Sequence, residues 1–201
     1  MLNKLLSHRY GTIYADPPWM ERGAGKIKRG ADRHYPLMRT EDIEAMGPEV
    51  RRVALDASHL YLWVTNNFLP DGLRVMAAWG FAYKTAITWV KAKVGPDGKR
   101  RVQIGLGQYF RGATEHCLFG VRGSPGYRLT AEGKRAQGLT VVIAERTKHS
   151  VKPWGMRKVI ECVSAGPYLE LFARETALGW DAWGNEVAGV LYEDGEGEGG
   201  A

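Results

Sequence analysis

Asp16-Pro17-Pro18-Trp19 follows the apolar run Thr12-Ile13-Tyr14-Ala15 near the start of the chain. An uninterrupted apolar run of this length predicts a strand that is buried on both faces. The two prolines fix φ and stiffen the segment that leaves the strand. Asp16 offers a carboxylate acceptor, the carbonyl of Pro17 offers a second acceptor, and Trp19 offers a flat π-face. The tetrapeptide is therefore suited to hold a planar group that carries two N–H donors.

The chemistry of the tetrapeptide suits one substrate atom, the exocyclic 6-amino nitrogen of adenine. This amine is conjugated to the purine ring and is a poor nucleophile, so a site that alkylates it needs acceptors for its protons and a wall for the ring. The alternative interpretation is a strand followed by an ordinary Asp-Pro turn. On the first interpretation, the predicted catalytic residues are Asp16, Pro17, Pro18 and Trp19.

Length and composition are those of one globular domain. The chain has 201 residues, of which 44% are hydrophobic and 25% charged, and these values exclude a disordered or fibrous protein. We predict a single domain over residues 1–190 and a disordered, acidic Gly/Glu-rich tail over residues 191–201. Because no apolar run approaches the length of a membrane span and the start lacks a signal-peptide core, we expect a cytoplasmic protein without membrane association.

The charge of the chain favours a polyanionic partner. The net charge of +6 includes −4 from the acidic residues of the tail, so residues 1–192 carry +10. A domain this basic suits nucleic acid, because each phosphate contact releases condensed counterions; excess Lys and Arg that serve only solubility are the alternative. Cys117 and Cys162 lie outside any paired metal-ligand spacing, so we expect neither a disulfide nor a metal site.

Strand-like runs alternate with helix-period segments, which predicts an α/β fold with a mostly parallel sheet and helices on both faces. Two helices are predicted by apolar stripes. The stripes are Leu69, Leu73, Met76 and Ala77 in one helix, and Met156, Val159, Ile160 and Val163 in the other. The predicted strands are Thr12 to Ala15, Leu60 to Thr65, Ala82 to Val90, His116 to Val121, Leu139 to Ala144 and Tyr168 to Ala173.

Two polar stretches, Met20 to Pro36 and Lys91 to Thr114, are too long for ordinary connections. Both place aromatic residues among basic ones, a combination that can grip phosphates and stack on bases. Solvated loops without a ligand are the alternative. The candidate nucleic-acid-binding residues are Arg22, Lys26, Lys28, Arg29, Arg33, Tyr35, Lys99, Arg100, Arg101, Tyr109 and Arg111.

Polar residues near the end of the chain could hold a methyl donor. In doubly wound sheets, ligands bind outside the carboxyl ends of the strands. Arg174, just beyond the predicted strand at Tyr168, is therefore well placed to meet a ribose or a carboxylate. Asn185 can both donate and accept hydrogen bonds, and Lys152 is suited to pair with a carboxylate of the donor.

Ordered blocks of sequence give the chain a family resemblance. The blocks are Tyr14 to Trp19, Leu62 to Thr65, Gly105 to Gly107 leading to Glu115 to Gly120, His149 to Pro153, Leu169 to Arg174 and Trp183 to Glu186. With them the chain resembles the DPPW family of S-adenosylmethionine-dependent adenine-N6 methyltransferases. The resemblance implies a permuted Rossmann-like class I methyltransferase fold, with the catalytic motif before the donor-binding motif, and direct transfer to adenine.

The resemblance also implies a donor site, a cofactor and a partner. The implied residues for S-adenosylmethionine are Asp16, Ser150, Lys152, Glu170, Phe172, Arg174, Asn185 and Glu186. The chain departs from the family at Glu175-Thr176-Ala177, where the mRNA enzymes carry a His-Asn pair. The expected partner is nucleic acid, with DNA preferred to RNA, and no metal is required.

Other functions and assemblies stay open at this point. RNA adenosine methylation is one alternative. A catalytically inactive nucleic-acid-binding relative and a protein glutamine methyltransferase are two more. The chain could act as a monomer or a homodimer.

Overall fold

The computed structural model of the chain describes residues 8–20, 37–146, 152–153 and 155–190. Nine strands and four α-helices follow one another within these ranges. The strands are β1 (Tyr10–Ala15), β2 (Ala54–Val64), β3 (Ala82–Val94), β4 (Arg100–Val102), β5 (Thr114–Arg122), β6 (Val141–Ala144), β7 (Tyr168–Leu171), β8 (Trp180–Gly184) and β9 (Val187–Val190). The helices are α1 (Thr40–Glu44), α2 (Gly47–Val53), α3 (Leu69–Ala78) and α4 (Met156–Val163), and a 3-10 turn (Asn66–Phe68) precedes α3.

The strands form one mixed sheet in the order β4-β3-β5-β2-β1-β7-β8-β9, and β6 pairs with β3 beside β4. β1 lies parallel between β2 and β7, β8 is parallel to β7, and β6 is parallel to β3. In contrast, β5 runs antiparallel to both β2 and β3, β4 to β3, and β9 to β8. The predicted α/β class is confirmed, but the prediction of a mostly parallel sheet is wrong. An apolar run indicates that a strand is buried on both faces, but it does not indicate whether the strand is parallel or antiparallel to its neighbours.

Side-chain alternation along the central strands divides the core into two layers. Leu60 and Leu62 face α1, α2 and α3, and Tyr61 and Trp63 face α4. Alternate residues of a strand point to opposite faces, so a strand that is apolar throughout needs cover on both sides. Helices accordingly pack against both faces of the sheet, as the sequence predicts.

All six predicted strands are present, although their bounds differ. β2 begins six residues before the predicted start, at Ala54, and β3 continues to Val94, inside the stretch expected to be irregular. β4 forms a hairpin with the end of β3, and β4, β8 and β9 were not predicted. β7 ends at Leu171 because Phe172 has a φ of 62°, which takes the chain out of the extended region.

The buried face of α3 differs from the predicted one. Leu69 and Leu73 are 36% and 39% exposed, whereas Gly72, Val75 and Met76 are buried. A Cβ at position 72 would collide with the side chain of Val64, so glycine lets α3 approach β2 closely. The predicted stripe shares only Met76 with this face, because the closest contact is made by a glycine, which has no apolar side chain to mark it.

No helix within the described ranges is long and apolar enough to cross a membrane.

Truncation of side chains on α3 distinguishes the observed face from the predicted one. Met76→Ala removes a side chain that is 1% exposed, and we expect it to lower the free energy of unfolding by about 2–5 kcal/mol. Leu73→Ala is the matched control on the outer face and should cost less than about 1 kcal/mol. Urea unfolding of both variants measures the difference, and equal losses would contradict the observed orientation of the helix.

Candidate active site

Asp16 lies directly beyond β1, at the edge where several parallel strands end together. Ala15, the last residue of β1, pairs with Leu62 of β2 and with Leu171 of β7, and Leu171 pairs in turn with Trp183 of β8. The carboxyl ends of β1, β2, β7 and β8 therefore meet at one edge of the sheet. Ligands of open α/β sheets bind outside this edge, so the position of Asp16 is that of a ligand-binding residue.

Asp16 is the first of four charged side chains in contact. The Nζ atom of Lys152 lies 2.8 Å from Oδ1 of Asp16 and 3.3 Å from Oε2 of Glu115. The Nζ atom of Lys91 lies 2.6 Å from Oε1 of Glu115. All four side chains are less than one-fifth exposed. Because the charges alternate in sign and each is paired, the network offsets the cost of removing them from water.

The network sets the protonation of its members. Burial raises the pKa of Asp16 above that of an ordinary carboxyl, although Lys152 and Arg174 oppose the change. Burial would also raise the pKa of Glu115, but Lys152 and Lys91 together hold it below its usual range. Burial lowers the pKa of Lys152, and Asp16 and Glu115 more than reverse this, so its pKa is raised. Lys152 is thus charged at neutral pH, and Asp16 is the carboxylate that protonates more readily.

Trp63 supports the ammonium of Lys152. The Nζ atom lies 5.5 Å from the centroid of the Trp63 ring, within the range of a cation–π interaction. The ring itself is held by a hydrogen bond from its Nε1 to the hydroxyl of Tyr14, 2.7 Å away in the core. The strands β1 and β2 therefore place an aromatic surface under the charged group.

Trp19 packs inward from the tetrapeptide. Its ring is 8% exposed and stacks on Phe68 with centroids 5.4 Å apart, and its Nε1 donates to the carbonyl of Trp63 at 3.0 Å. The open π-face expected at Trp19 is therefore not offered in this structure, because the indole fills the core beside the turn before α3. The backbone N–H of Trp19 donates to the Pro17 carbonyl at 2.9 Å, which leaves one lone pair of that oxygen for a substrate.

The predicted donor residues after β7 gather at the same edge. Nη2 of Arg174 lies 3.9 Å from Oδ2 of Asp16. Asn185 and Glu186 form the exposed two-residue turn between β8 and β9. Lys152, predicted to meet a carboxylate of the donor, contacts two carboxylates of the protein itself.

The segment after β7 is bent and tied to β8. Phe172 adopts the left-handed region, with a φ of 62°, and such non-glycine conformations persist where the surroundings enforce them. The N–H of Ala173 donates to the carbonyl of Trp183 at 2.9 Å. A Cβ at Gly184 would collide with the carbonyl of Ala173, so glycine allows the two segments to touch. Arg174 is consequently presented from a closely packed turn.

Arg157 of α4 binds the acidic residues on either side of this turn. Its Nε lies 2.7 Å from Oε2 of Glu170, and its Nη1 lies 3.0 Å from Oε1 of Glu175. Burial raises the pKa of Glu170, and Arg157 opposes that change. Glu175, where the chain departs from the family pattern, is thus attached to α4.

Other predicted residues lie apart from Asp16 or outside the described ranges. Lys99 and Arg100 are exposed on the β3–β4 hairpin, where Arg101 pairs with Asp97 at 2.6 Å. Arg111 donates to the carbonyl of Gly105 at 2.9 Å. The predicted residues outside the described ranges are Arg22, Lys26, Lys28, Arg29, Arg33, Tyr35 and Ser150.

The sequence predicts no role for Glu115 or Arg157, and it places Lys91 only among the basic residues of the second long polar stretch. Glu115 is the second residue of β5, and Lys91 lies inside β3, close to its end. Each is the charged residue directly beside a predicted apolar run, and that position was the signal that could have indicated them. The contact between Lys91 and Glu115 depends on the register of β3 against β5, which cannot be predicted from the sequence. Within the described ranges, no group of three or more His, Cys, Asp or Glu residues is arranged to hold a metal ion. Cys117 is buried and Cys162 is exposed, and both are free.

Comparison with known proteins identifies the family. The MT-A70 family model matches residues 10–186, which is most of the chain. The chain belongs to the MT-A70 family. The resemblance to adenine-N6 methyltransferases that the tetrapeptide and the ordered blocks indicate is thereby confirmed.

The individual relatives are named as adenosine methyltransferases and as a type II methyltransferase. An MT-A70-like protein of Medicago truncatula is 32% identical and matches 92% of this chain and 28% of its own length. The human N(6)-adenosine-methyltransferase catalytic subunit METTL3 is 30% identical and matches 92% of this chain and 30% of its own length. The type II methyltransferase M.MunI of a Mycoplasma species is 28% identical and matches 89% of this chain and 78% of its own length. The chain thus spans under a third of the first two relatives and most of the third.

Removal of Lys152 tests the charge network. In Lys152→Met the carboxylates of Asp16 and Glu115 lose their shared cation, and we expect a loss of about 3 kcal/mol in the free energy of unfolding near neutral pH. Without the ammonium both carboxyl pKa values rise, so the folded variant binds protons that the unfolded chain releases. The deficit should therefore shrink when the pH is lowered from about 8 to about 5.

Urea unfolding at the two pH values measures this effect. Lys93→Met removes an exposed lysine of β3 and is the matched control, which should change stability by less than about 0.5 kcal/mol. A deficit in Lys152→Met that stays the same at both pH values would contradict the network.

Proposed function

We propose that this chain is an S-adenosylmethionine-dependent methyltransferase that methylates the 6-amino group of adenine in nucleic acid, with DNA as its preferred substrate. The observation that carries the proposal is the Asp16 carboxylate, 18% exposed beyond the carboxyl end of β1 within Asp-Pro-Pro-Trp and 2.8 Å from Lys152. Membership in the MT-A70 family supports the reaction. Similarity to M.MunI, of which the chain spans most of the length, supports DNA.

The residues at the edge fit S-adenosylmethionine as donor. This molecule carries a carboxylate, an ammonium, a sulfonium and ribose hydroxyls, so its site needs charges of both signs and groups that donate and accept hydrogen bonds. Asp16 and Arg174 supply the two signs within 3.9 Å of each other, and Asn185 supplies an amide beside them along the edge. When bound, the donor supplies an activated methyl group.

The chain's own residues position the amine for in-line displacement. Asp16 accepts one N–H of the adenine amine, and the remaining lone pair of the Pro17 carbonyl accepts the other. The two acceptors aim the nitrogen lone pair along the line of transfer, and this positioning provides most of the catalysis. The nitrogen becomes acidic as the new N–C bond would form and the bond from the methyl carbon to the donor sulfur would break, with the sulfur leaving as a neutral thioether. Asp16 can accept its proton, because burial raises the pKa of that carboxyl.

Adenosine in RNA is the second candidate substrate. Similarity to the catalytic subunit METTL3 favours it, at 30% identity over 200 residues. The chemistry at Asp16 is the same for both polymers, because the adenine ring carries the reacting amine in each. The choice between them therefore rests on the surfaces that hold the backbone, away from the tetrapeptide.

Substitution of Asp16 tests the proposed role of its carboxylate. Asp16→Asn keeps the shape but removes the charge, and we expect methyl transfer to fall by at least about 100-fold. Calorimetry with S-adenosylmethionine should show donor binding within about tenfold of the wild type, since other groups of the edge remain. Asp56→Asn, 84% exposed beside Arg9, is the matched control and should retain full activity. Full activity in Asp16→Asn would refute the assignment.

A comparison of substrates tests the proposed polymer. Purified protein is incubated with radiolabelled donor and equal masses of genomic DNA, total RNA and a protein extract. We expect label in DNA above RNA and none in protein, with the methyl group on the adenine 6-amino nitrogen in digested nucleosides. Preferential labelling of RNA would reverse the substrate order, and labelling of protein alone would refute nucleic acid as the substrate.

A further inference from the structure

Two adjacent aromatic side chains stand almost fully in solvent. Tyr109 is 94% exposed and Phe110 is 92% exposed, the highest values among the large hydrophobic residues that the structure describes. Large apolar side chains placed together in water commonly mark a binding surface. The proposed site at Asp16 does not use them.

The loop that carries these rings is closed by its own backbone. The N–H of Gly105 donates to the carbonyl of Gly112 at 2.6 Å, and the N–H of Gly112 donates to the carbonyl of Leu106 at 3.0 Å. A Cβ at Gly107 would collide with the carbonyl of Phe110, so glycine is required for this closure. The rings are therefore held out by a preorganised loop, which lowers the ordering cost of binding a partner.

The loop lies beyond the same edge of the sheet as Asp16. It joins β4 to β5, and the carbonyl of Ala113, just after it, accepts from the N–H of Lys91 at 2.9 Å. β5 then begins with Thr114 and Glu115, and the Glu115 carboxylate contacts Lys152. The loop thus leads directly into the charge network of the proposed site.

The charge of the surrounding segment suits phosphates. Residues 91–113 contain six basic residues and a single acidic one, Asp97. Arg101 pairs with that aspartate, and Lys99 and Arg100 are exposed on the same hairpin. An apolar tip flanked by positive charge matches a base stack flanked by phosphates better than it matches a lipid or an apolar protein groove.

We infer that Tyr109 and Phe110 form an aromatic wedge that enters the base stack of a duplex and helps the target adenine leave it. The inference rests on the proposed function and deepens it, because it makes duplex nucleic acid the substrate form. The Asp16 side chain is only 18% exposed at the sheet edge, so an adenine inside a duplex must be extruded to reach it. Apolar side chains inserted between base steps unstack them and supply part of that work.

The test compares duplex and single-stranded forms of one DNA sample. Methyl incorporation is measured with genomic DNA, native or heat-denatured, for the wild type and for Tyr109→Ala, Phe110→Ala and the double variant. We expect the double variant to lose activity on duplex DNA by about tenfold or more and to stay within about threefold of the wild type on single strands. Tyr83→Ala, at the start of β3 and 48% exposed, is the aromatic control and should change neither activity.

Each other outcome overturns the wedge. Equal loss on both forms, or no loss on either, would show that the rings do not serve duplex opening. A wild type that methylates only single strands would also show that the rings do not open a duplex. A wild-type dimer that the double variant converts to monomer, seen by analytical ultracentrifugation, would assign the rings to an interface between copies. A wild type that methylates no nucleic acid and binds no donor refutes the proposed function itself, which is a separate result.

Discussion

The contact of one ammonium with two carboxylates, each less than one-fifth exposed, is the interaction on which the site depends. Lys152 lies between Asp16 and Glu115, and Lys91 completes the alternation of charge. Asp16 follows β1, and Glu115 lies at the start of β5. Lys91 lies within β3, and Lys152 lies in the segment that precedes α4. An unpaired charge in that position would be costly, so the network joins elements distant in sequence at the point where chemistry is proposed.

The parallel and antiparallel halves of the mixed sheet place different groups of residues beside this network. On one side, β1, β7 and β8 are parallel and bring Arg174 and the turn at Asn185 to the carboxyl edge. On the other side, β5 and β3 are antiparallel to β2 and bring Glu115, Lys91 and the basic hairpin to that edge. The parallel half is thus the side proposed for the donor, and the antiparallel half is the side proposed for the polymer. Asp16 belongs to the parallel half, and Lys152 joins it to Glu115 of the antiparallel half.

Burial and the presence of the strands could be predicted from sequence, but the register and direction of the strands could not. Apolar runs indicated the strand before Asp16 because a strand covered on both faces has no polar positions. The same runs did not indicate that β5 is antiparallel to its neighbours. Without the register of β5, the contact of Glu115 with Lys152 could not be predicted. The buried face of α3 was predicted only in part, because its closest contact with β2 is made by Gly72, which has no side chain to mark the position. The prediction for Trp19 was wrong because an indole can either stack on a base or fill a core. In this structure the Trp19 ring stacks on Phe68, and its Nε1 donates to the carbonyl of Trp63.

The coupling energy between Asp16 and Lys152 measures most directly whether the two charges stabilise each other. Free energies of unfolding are determined for the wild type, Asp16→Asn, Lys152→Met and the double variant, at one pH near neutrality. If the ammonium and the carboxylate depend on each other, the double variant is more stable than the sum of the single losses allows, by about 1 kcal/mol or more. Strictly additive losses would contradict the account, because they would mean that the two charges do not interact.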